Sequence, residues 1–296
     1  MGNQSTYEIV SVVSEYTAAA ELQAPEQAVL KLLAAELRDM RMLDIGIGGG
    51  RTTVHFAPLV KEYAGIDYSG RMIDACRGRF PSLANRNALS VADARALTAF
   101  PDDRFDFVLF SFNGIDYVSP EDRLLVLREI ARVARAGARF LFSTHNLNSD
   151  IESTFVRSGG DGLREFLTKP LNRMRFRLLN WGWRRHRASA DYMVLNDGAH
   201  GFRLNTCYIG AAAQLRQLRS AGFSDTVVFA RDGGRLAIDE AERSTDAWLH
   251  YLSTVVKGPG PGAPANAGSR PPSNSIQIGS PAGDVGRYCF RGDRGL

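Results

Sequence analysis

Apolar residues in this chain gather into short runs, most of them closed by an acid or by glycines. Met42-Leu43-Asp44-Ile45 opens into Gly46-Ile47-Gly48-Gly49-Gly50, Tyr63-Ala64-Gly65-Ile66 closes on Asp67, and Leu89-Ser90-Val91-Ala92 closes on Asp93. A fourth run, Phe105 to Phe110, leads into Ser111-Phe112-Asn113-Gly114. Runs of this length bounded by turn residues read as buried strands, and the stretches between them read as helices, which predicts an α/β fold. Upstream, Pro25 to Met40 carries Val29, Leu32, Leu33 and Leu37 on one face of an amphipathic helix, with proline at a permitted first-turn position. Trp248 to Val256 reads as a late strand that completes the sheet. From Gly258 to Gly283, glycine, proline, serine and alanine dominate without any period, so residues 258–296 are expected to form a disordered tail.

The glycine loop carries the most specific chemistry. Glycine permits positive φ and lets backbone amides come close to a ligand where a strand turns sharply into a helix. A dinucleotide fingerprint needs a third glycine at the place occupied by Arg51, and a triphosphate loop needs a lysine and Ser/Thr that are missing here. Asp67 ends the next strand about 20 residues beyond the first glycine, the spacing of a ribose-binding carboxylate.

With these acids and glycines in order, the chain resembles the class I S-adenosylmethionine-dependent methyltransferases from Tyr7 to Lys257. The resemblance implies a Rossmann-like, seven-stranded, mostly parallel sheet with helices on both faces and S-adenosylmethionine as cofactor. It implies that Asp44 and the glycines order the methionine end, that Asp67 takes the ribose hydroxyls, that Asp93 and Ala94 address adenine, and that Tyr68 and Met72 sandwich it. The implied cofactor-contacting set is Tyr16, Asp44, Gly46, Ile47, Gly48, Gly50, Arg51, Asp67, Tyr68, Met72, Asp93 and Ala94, with Ser111, Phe112 and Asn113 after the fourth strand. The segment Glu129 to Phe140 resembles the family's helix, turn and fifth strand, although Arg-Ala-Gly-Ala stands where Lys-Pro-Gly-Gly is common. Residues 1–40 would form an N-terminal lid and helix, with Tyr7 and Tyr16 closing over the cofactor, and residues 41–257 the methyltransferase domain.

Composition adds bounds. The 296 residues are 44% apolar, enough for one large core, and no long apolar stretch or secretory leader is evident, so a soluble, cytoplasmic protein is expected. Three scattered cysteines suit neither a disulfide framework nor a closed zinc site, and nothing in the sequence calls for a metal. An insertion at residues 151–205 holds nine arginines and one lysine against two glutamates and three aspartates, a net +5 where the whole chain is +4. Its stretch Lys169 to Arg187 interleaves seven cations with Phe176, Trp181 and Trp183, a pattern suited to an anionic acceptor, a membrane surface or RNA. Insertions here usually build the acceptor pocket, so the expected reaction is methylation of an O or N nucleophile on a small anionic metabolite, such as a sugar or glycolipid precursor. The alternatives are an RNA methyltransferase and a non-catalytic cofactor-binding protein. A nucleic-acid partner is disfavoured because Ser111-Phe112-Asn113-Gly114 lacks the Asn/Asp-Pro-Pro-aromatic motif and no Pro-Cys nucleophile follows. His145, just beyond strand five, is the candidate general base, with His200 second and Asp191 third.

Overall fold

The computed structural model describes residues 4–154, 163–257 and 289–290. Its strands are β1 (Arg41–Ile45), β2 (Glu62–Asp67), β3 (Leu89–Val91), β4 (Phe105–Phe110), β5 (Ala134–Asn146), β6 (Tyr192–Leu195), β7 (Thr206–Ile209), β8 (Phe223–Phe229), β9 (Arg235–Leu236), β10 (Trp248–Val255) and β11 (Cys289–Phe290). Seven of them form the main sheet in the order β3-β2-β1-β4-β5-β10-β8, the first five mutually parallel and β10 antiparallel to both neighbours.

Helices cover both faces, which is why β4 is buried at every position. Alternation along the strands sorts the core: Leu43, Val108 and Phe140 pack on the helices Pro120–Val133 and Ala211–Ser220, while Met42, Phe107 and Leu141 pack on Val29 and Leu33 of the helix Ala24–Leu33. The helix expected from Pro25 to Met40 stops at Leu33, and a 3-10 turn at Leu37–Asp39 follows. Leu32, expected on its buried face, is exposed, because Val29, Leu33 and Leu37 follow an i, i+4, i+8 line from which Leu32 is rotated by about 100°.

The expected seven strands are joined by four more, giving eleven among the described residues. β5 explains two of them. It outruns β4, whose pairing with it ends at Phe110 opposite Phe142, so His145 and Asn146 present an open edge that β7 fills, with β6 folded back on β7. Pairing satisfies backbone groups that would otherwise be buried without partners. β9 forms a hairpin with β8, and β11 lies antiparallel on β6. Cys289–Phe290 is thus a strand inside the stretch read as a disordered tail, and the remainder of that stretch lies outside the described residues.

Candidate active site

The cleft lies at the carboxyl edge of β1, β2 and β4, where parallel sheets of this kind present loops rather than side-chain-filled core. Gly46 and Gly48 sit at φ 68° and 52°. Both line the cleft, and a β-carbon would stand 3.1 Å from Phe110 at Gly46 and 3.4 Å from Tyr16 at Gly48. Asp67 ties this loop to the next turn: its Oδ2 accepts the Gly48 N–H at 2.9 Å and its Oδ1 the Ser69 N–H at 2.9 Å. Burial raises the Asp67 carboxyl above its ordinary pKa, against the pull of those backbone donors.

The cleft encloses about 320 Å³. Tyr68 and Met72 follow β2 along one wall, Asp93 and Ala94 follow β3, and Ser111 and Phe112 close the end of β4. Tyr7 and Tyr16 reach in from the N-terminal helices Gln4–Tyr7 and Val10–Ala18. Tyr7 is the hub of an aromatic group, its ring 5.8 Å from Tyr16, 5.7 Å from Tyr68 and 5.9 Å from Tyr117. Burial pushes the Tyr16 phenol up to about 12 and Tyr7 well above its usual value, so both are hydroxyl donors at neutral pH. Asp93 already has a partner, because the Arg95 guanidinium donates to it at 2.6 Å and holds its carboxyl below the ordinary range.

Other residues from the expected set stand behind the lining. Asp44 is fully buried, accepting the Thr52 hydroxyl at 2.6 Å and the Tyr63 hydroxyl at 2.8 Å, and burial pushes its carboxyl up to about 7. Ile47 packs into a small core with Ile73, Cys76 and Leu89, and Gly50 lies over Phe80, where a β-carbon would come within 2.4 Å. Arg51 makes a bidentate pair with Glu26 at 2.7 Å, donates to the Ser111 hydroxyl at 2.6 Å and lies 5.1 Å over the Phe112 ring. Burial alone would raise the Glu26 carboxyl, but Arg51, together with the Ser111 hydroxyl and the Gln23 N–H, outweighs it and holds that group below its ordinary value. Glu26 was not singled out in the sequence, where its one signal is the capping-box position, realised here by the Gln23 N–H at 2.8 Å.

His145 also stands one layer back. Its Nδ1 and its backbone N–H both contact Asp116 Oδ2, at 2.8 and 2.7 Å, and its Nε2 lies 3.5 Å from the Asn113 amide nitrogen. Asn113 is fixed in turn by its backbone N–H to the Ser143 hydroxyl at 2.8 Å. Asp116 pairs with Arg123, both fully buried, and Arg123 also donates to Ile115 O at 3.1 Å and Gln214 Oε1 at 2.6 Å. No local pattern marks this group, since Gln214 is 91 residues from Arg123. His200 touches the tyrosine group instead, its ring 5.8 Å from Tyr7 and 6.1 Å from Tyr16, and burial lowers its pKa. Asp191 is paired with Arg216 at 2.5 Å, away from the cleft.

Among the described residues none from 151–205 lines the cleft, although Leu204 packs with Tyr7 and Met72 beside it. The insertion's arginines are drawn to an acid of its own, Arg173, Arg177 and Arg184 converging on buried Glu152 at 3.1, 2.9 and 2.8 Å. Arg187 donates to Ser149 O at 2.7 Å and lies over Trp183, and Arg175 lies 4.5 Å over Phe202. Among the described residues, no cluster of three or more His, Cys, Asp or Glu could hold a metal ion, and no helix is long and apolar enough to cross a membrane.

A family model described as a methyltransferase domain matches residues 42–137, from β1 to the turn in β5. The uncharacterized methyltransferase YcgJ of Bacillus subtilis is 30% identical over 126 residues, 42% of this chain and 49% of that protein, so the match spans about half the relative's length. Among solved structures, the CcbJ methyltransferase of Streptomyces caelestis is similar with a TM-score of 0.53 and 16% identity, over 85% of this chain and 98% of that one. An S-adenosylmethionine-dependent methyltransferase of Mesorhizobium loti gives 0.51 and 18%, over 78% and 98%. These two likenesses are of fold. With the matched domain, the strand order and the glycine loop held by Asp67, residues 42–137 carry a methyltransferase domain on a Rossmann-like fold.

Proposed function

We propose that this chain transfers a methyl group to an oxygen or nitrogen nucleophile of a small metabolite held in the tyrosine-roofed cleft. The observation that carries this reading is the enclosure itself: the N-terminal helices lay Tyr7 and Tyr16 over a cleft of about 320 Å³, a space suited to small molecules. The cleft fits the family's cofactor, since Gly46 and Gly48 bring bare backbone to its wall and the Asp67 carboxylate stands among the lining residues. S-adenosylmethionine, when bound, supplies an electrophilic methyl on its sulfonium. Asp67 would hold the ribose hydroxyls, Tyr68 and Met72 the adenine faces with Asp93 and Ala94 at its edge, and Tyr7 and Tyr16 would exclude water and orient the acceptor.

A base is required only for acceptors that must lose a proton. Asp116 holds His145 in one orientation, and with Nδ1–H donated to that carboxylate the proton-accepting lone pair falls on Nε2, beside Asn113. The further reading that the acceptor is anionic draws on the cationic excess of residues 151–205, nine arginines and one lysine against five acids. Incubating the protein with methyl-labelled cofactor and a host metabolite extract tests both parts. Label in a small acidic product supports them, label in a small uncharged or cationic product removes the anionic part, and label confined to RNA or protein overturns the small-acceptor reading. Tight cofactor binding without transfer would point to a binding protein.

A further inference from the structure

The insertion's main helix has a face with no role in the cleft. Leu163–Leu179 is anchored by Phe176, which is fully buried among Leu147, Ile151 and Trp183. At about 100° per residue, Leu171, Met174 and Leu178 fall in one arc about 60° wide on the side opposite Phe176. They point outward: Leu171 is 60% exposed, Met174 56% and Leu178 63%, and Trp181 just beyond the helix is 62% exposed. Arg175 flanks this stripe on one side and Arg173 and Arg177 on the other, so that Arg173, Arg177, Met174, Leu178 and Trp181 border a shallow hollow of about 240 Å³. Residues 170–187 hold six arginines and no acid. The buried Glu152 faces three of them, leaving the surface positive.

We propose that this face docks on an anionic lipid surface. An apolar stripe at the crest of a helix with guanidinium groups on both shoulders matches the layering of a bilayer interface. The aliphatic side chains and Trp181 would enter the headgroup and acyl boundary while the arginines stay level with the lipid phosphates. The three aliphatic side chains supply the depth and the arginines the preference for anionic lipid.

The test uses the full chain and cosedimentation with vesicles of phosphatidylcholine alone or of equimolar phosphatidylcholine and phosphatidylglycerol. The protein is expected to bind the mixed vesicles, to bind the neutral ones far more weakly, and to be released by raising salt from about 0.1 M to 1 M, over which the Debye length falls from about 10 to 3 Å. The triple variant Leu171→Ser, Met174→Ser, Leu178→Ser should lower partitioning by at least about tenfold. Its melting temperature and cofactor affinity should not change, since these side chains are exposed and are not among the residues that line the cleft. Absence of binding to the mixed vesicles overturns the proposal, as does undiminished binding by the triple variant, which would leave only unspecific charge attraction. A concentration-dependent dimer abolished by the same substitutions, without vesicle binding, would assign the face to a second copy of the chain instead.

Discussion

Asp67 holds two parts of the site together, and its removal separates them by measurement. Its carboxylate is buried, with one oxygen on the Gly48 N–H and the other on the Ser69 N–H, each at 2.9 Å. In Asp67→Ala both donors lose their acceptor, at about 1 to 3 kcal/mol apiece. Removing a buried carboxylate also relieves the desolvation that raises its pKa, so the net loss for the free protein should lie near the lower bound, about 2 kcal/mol. The cofactor would lose more. Two charge-assisted hydrogen bonds from the ribose hydroxyls, about 1.5 to 3 kcal/mol each, correspond to at least about a hundredfold rise in the dissociation constant. Asp67→Asn keeps the volume and one acceptor oxygen, so it should melt closer to the unmodified protein yet still bind the cofactor much more weakly. Thermal melting and titration calorimetry on both variants read the two effects apart. Unchanged affinity for S-adenosylmethionine in folded Asp67→Asn protein would refute the ribose assignment. Tighter binding of NAD than of S-adenosylmethionine would refute the cofactor reading of the cleft.

At Gly49 a β-carbon would stand 2.4 Å from Thr17 Cα and 2.8 Å from Thr17 Oγ1, so Gly49→Ala should lift the N-terminal helices off the loop; faster limited proteolysis before residue 24 with weaker cofactor binding is expected, and an unchanged cleavage rate would contradict it. Arg123→Met strands Asp116 and Gln214 without their buried cation and should cost about 3 to 5 kcal/mol in denaturant unfolding, so a loss below about 1 kcal/mol would show that the network contributes little. Burial lowers the pKa of His250 from 6.5 to about 4, its Nε2 being 2.8 Å from Gln23 Oε1. The folded state therefore resists protonation there, and this residue's contribution, of order 3 kcal/mol, is present above about pH 6.5 and lost as pH falls towards 4. His250→Gln should flatten the stability profile across that window, and a profile that stays as steep would remove His250 as its cause.

Five of the seven main strands, β1 to β4 and β10, the glycine loop and the acid at the end of β2 were legible in the chain, because each is a local matter, whereas β5 and β8 followed only from the family resemblance. A buried strand needs a short apolar run, a strand-to-helix turn under a ligand needs glycine, and Asp67 meets Gly48 because β1 and β2 are parallel neighbours whose ends lie side by side. Tyr16, Tyr68, Met72, Asp93 and Ala94 reach the cleft for the same reason, each lying on the loop or first helical turn that follows a strand end or on the lid above it. What the tertiary structure alone decided is which charged and polar side chains meet across elements. Arg51 stands next to the glycines in sequence yet turns to Glu26 on another helix, and His145 is governed by Asp116, which no spacing connects to it. The arginines of the insertion could be counted from the sequence, but not their convergence on Glu152, which leaves them outside the cleft. Likewise β6 and β7 exist because β5 runs past the end of β4 and exposes an edge. Periodicity and turn chemistry are written residue by residue along the chain, whereas the partner of a buried charge depends on which surfaces packing brings together and how far water is excluded between them.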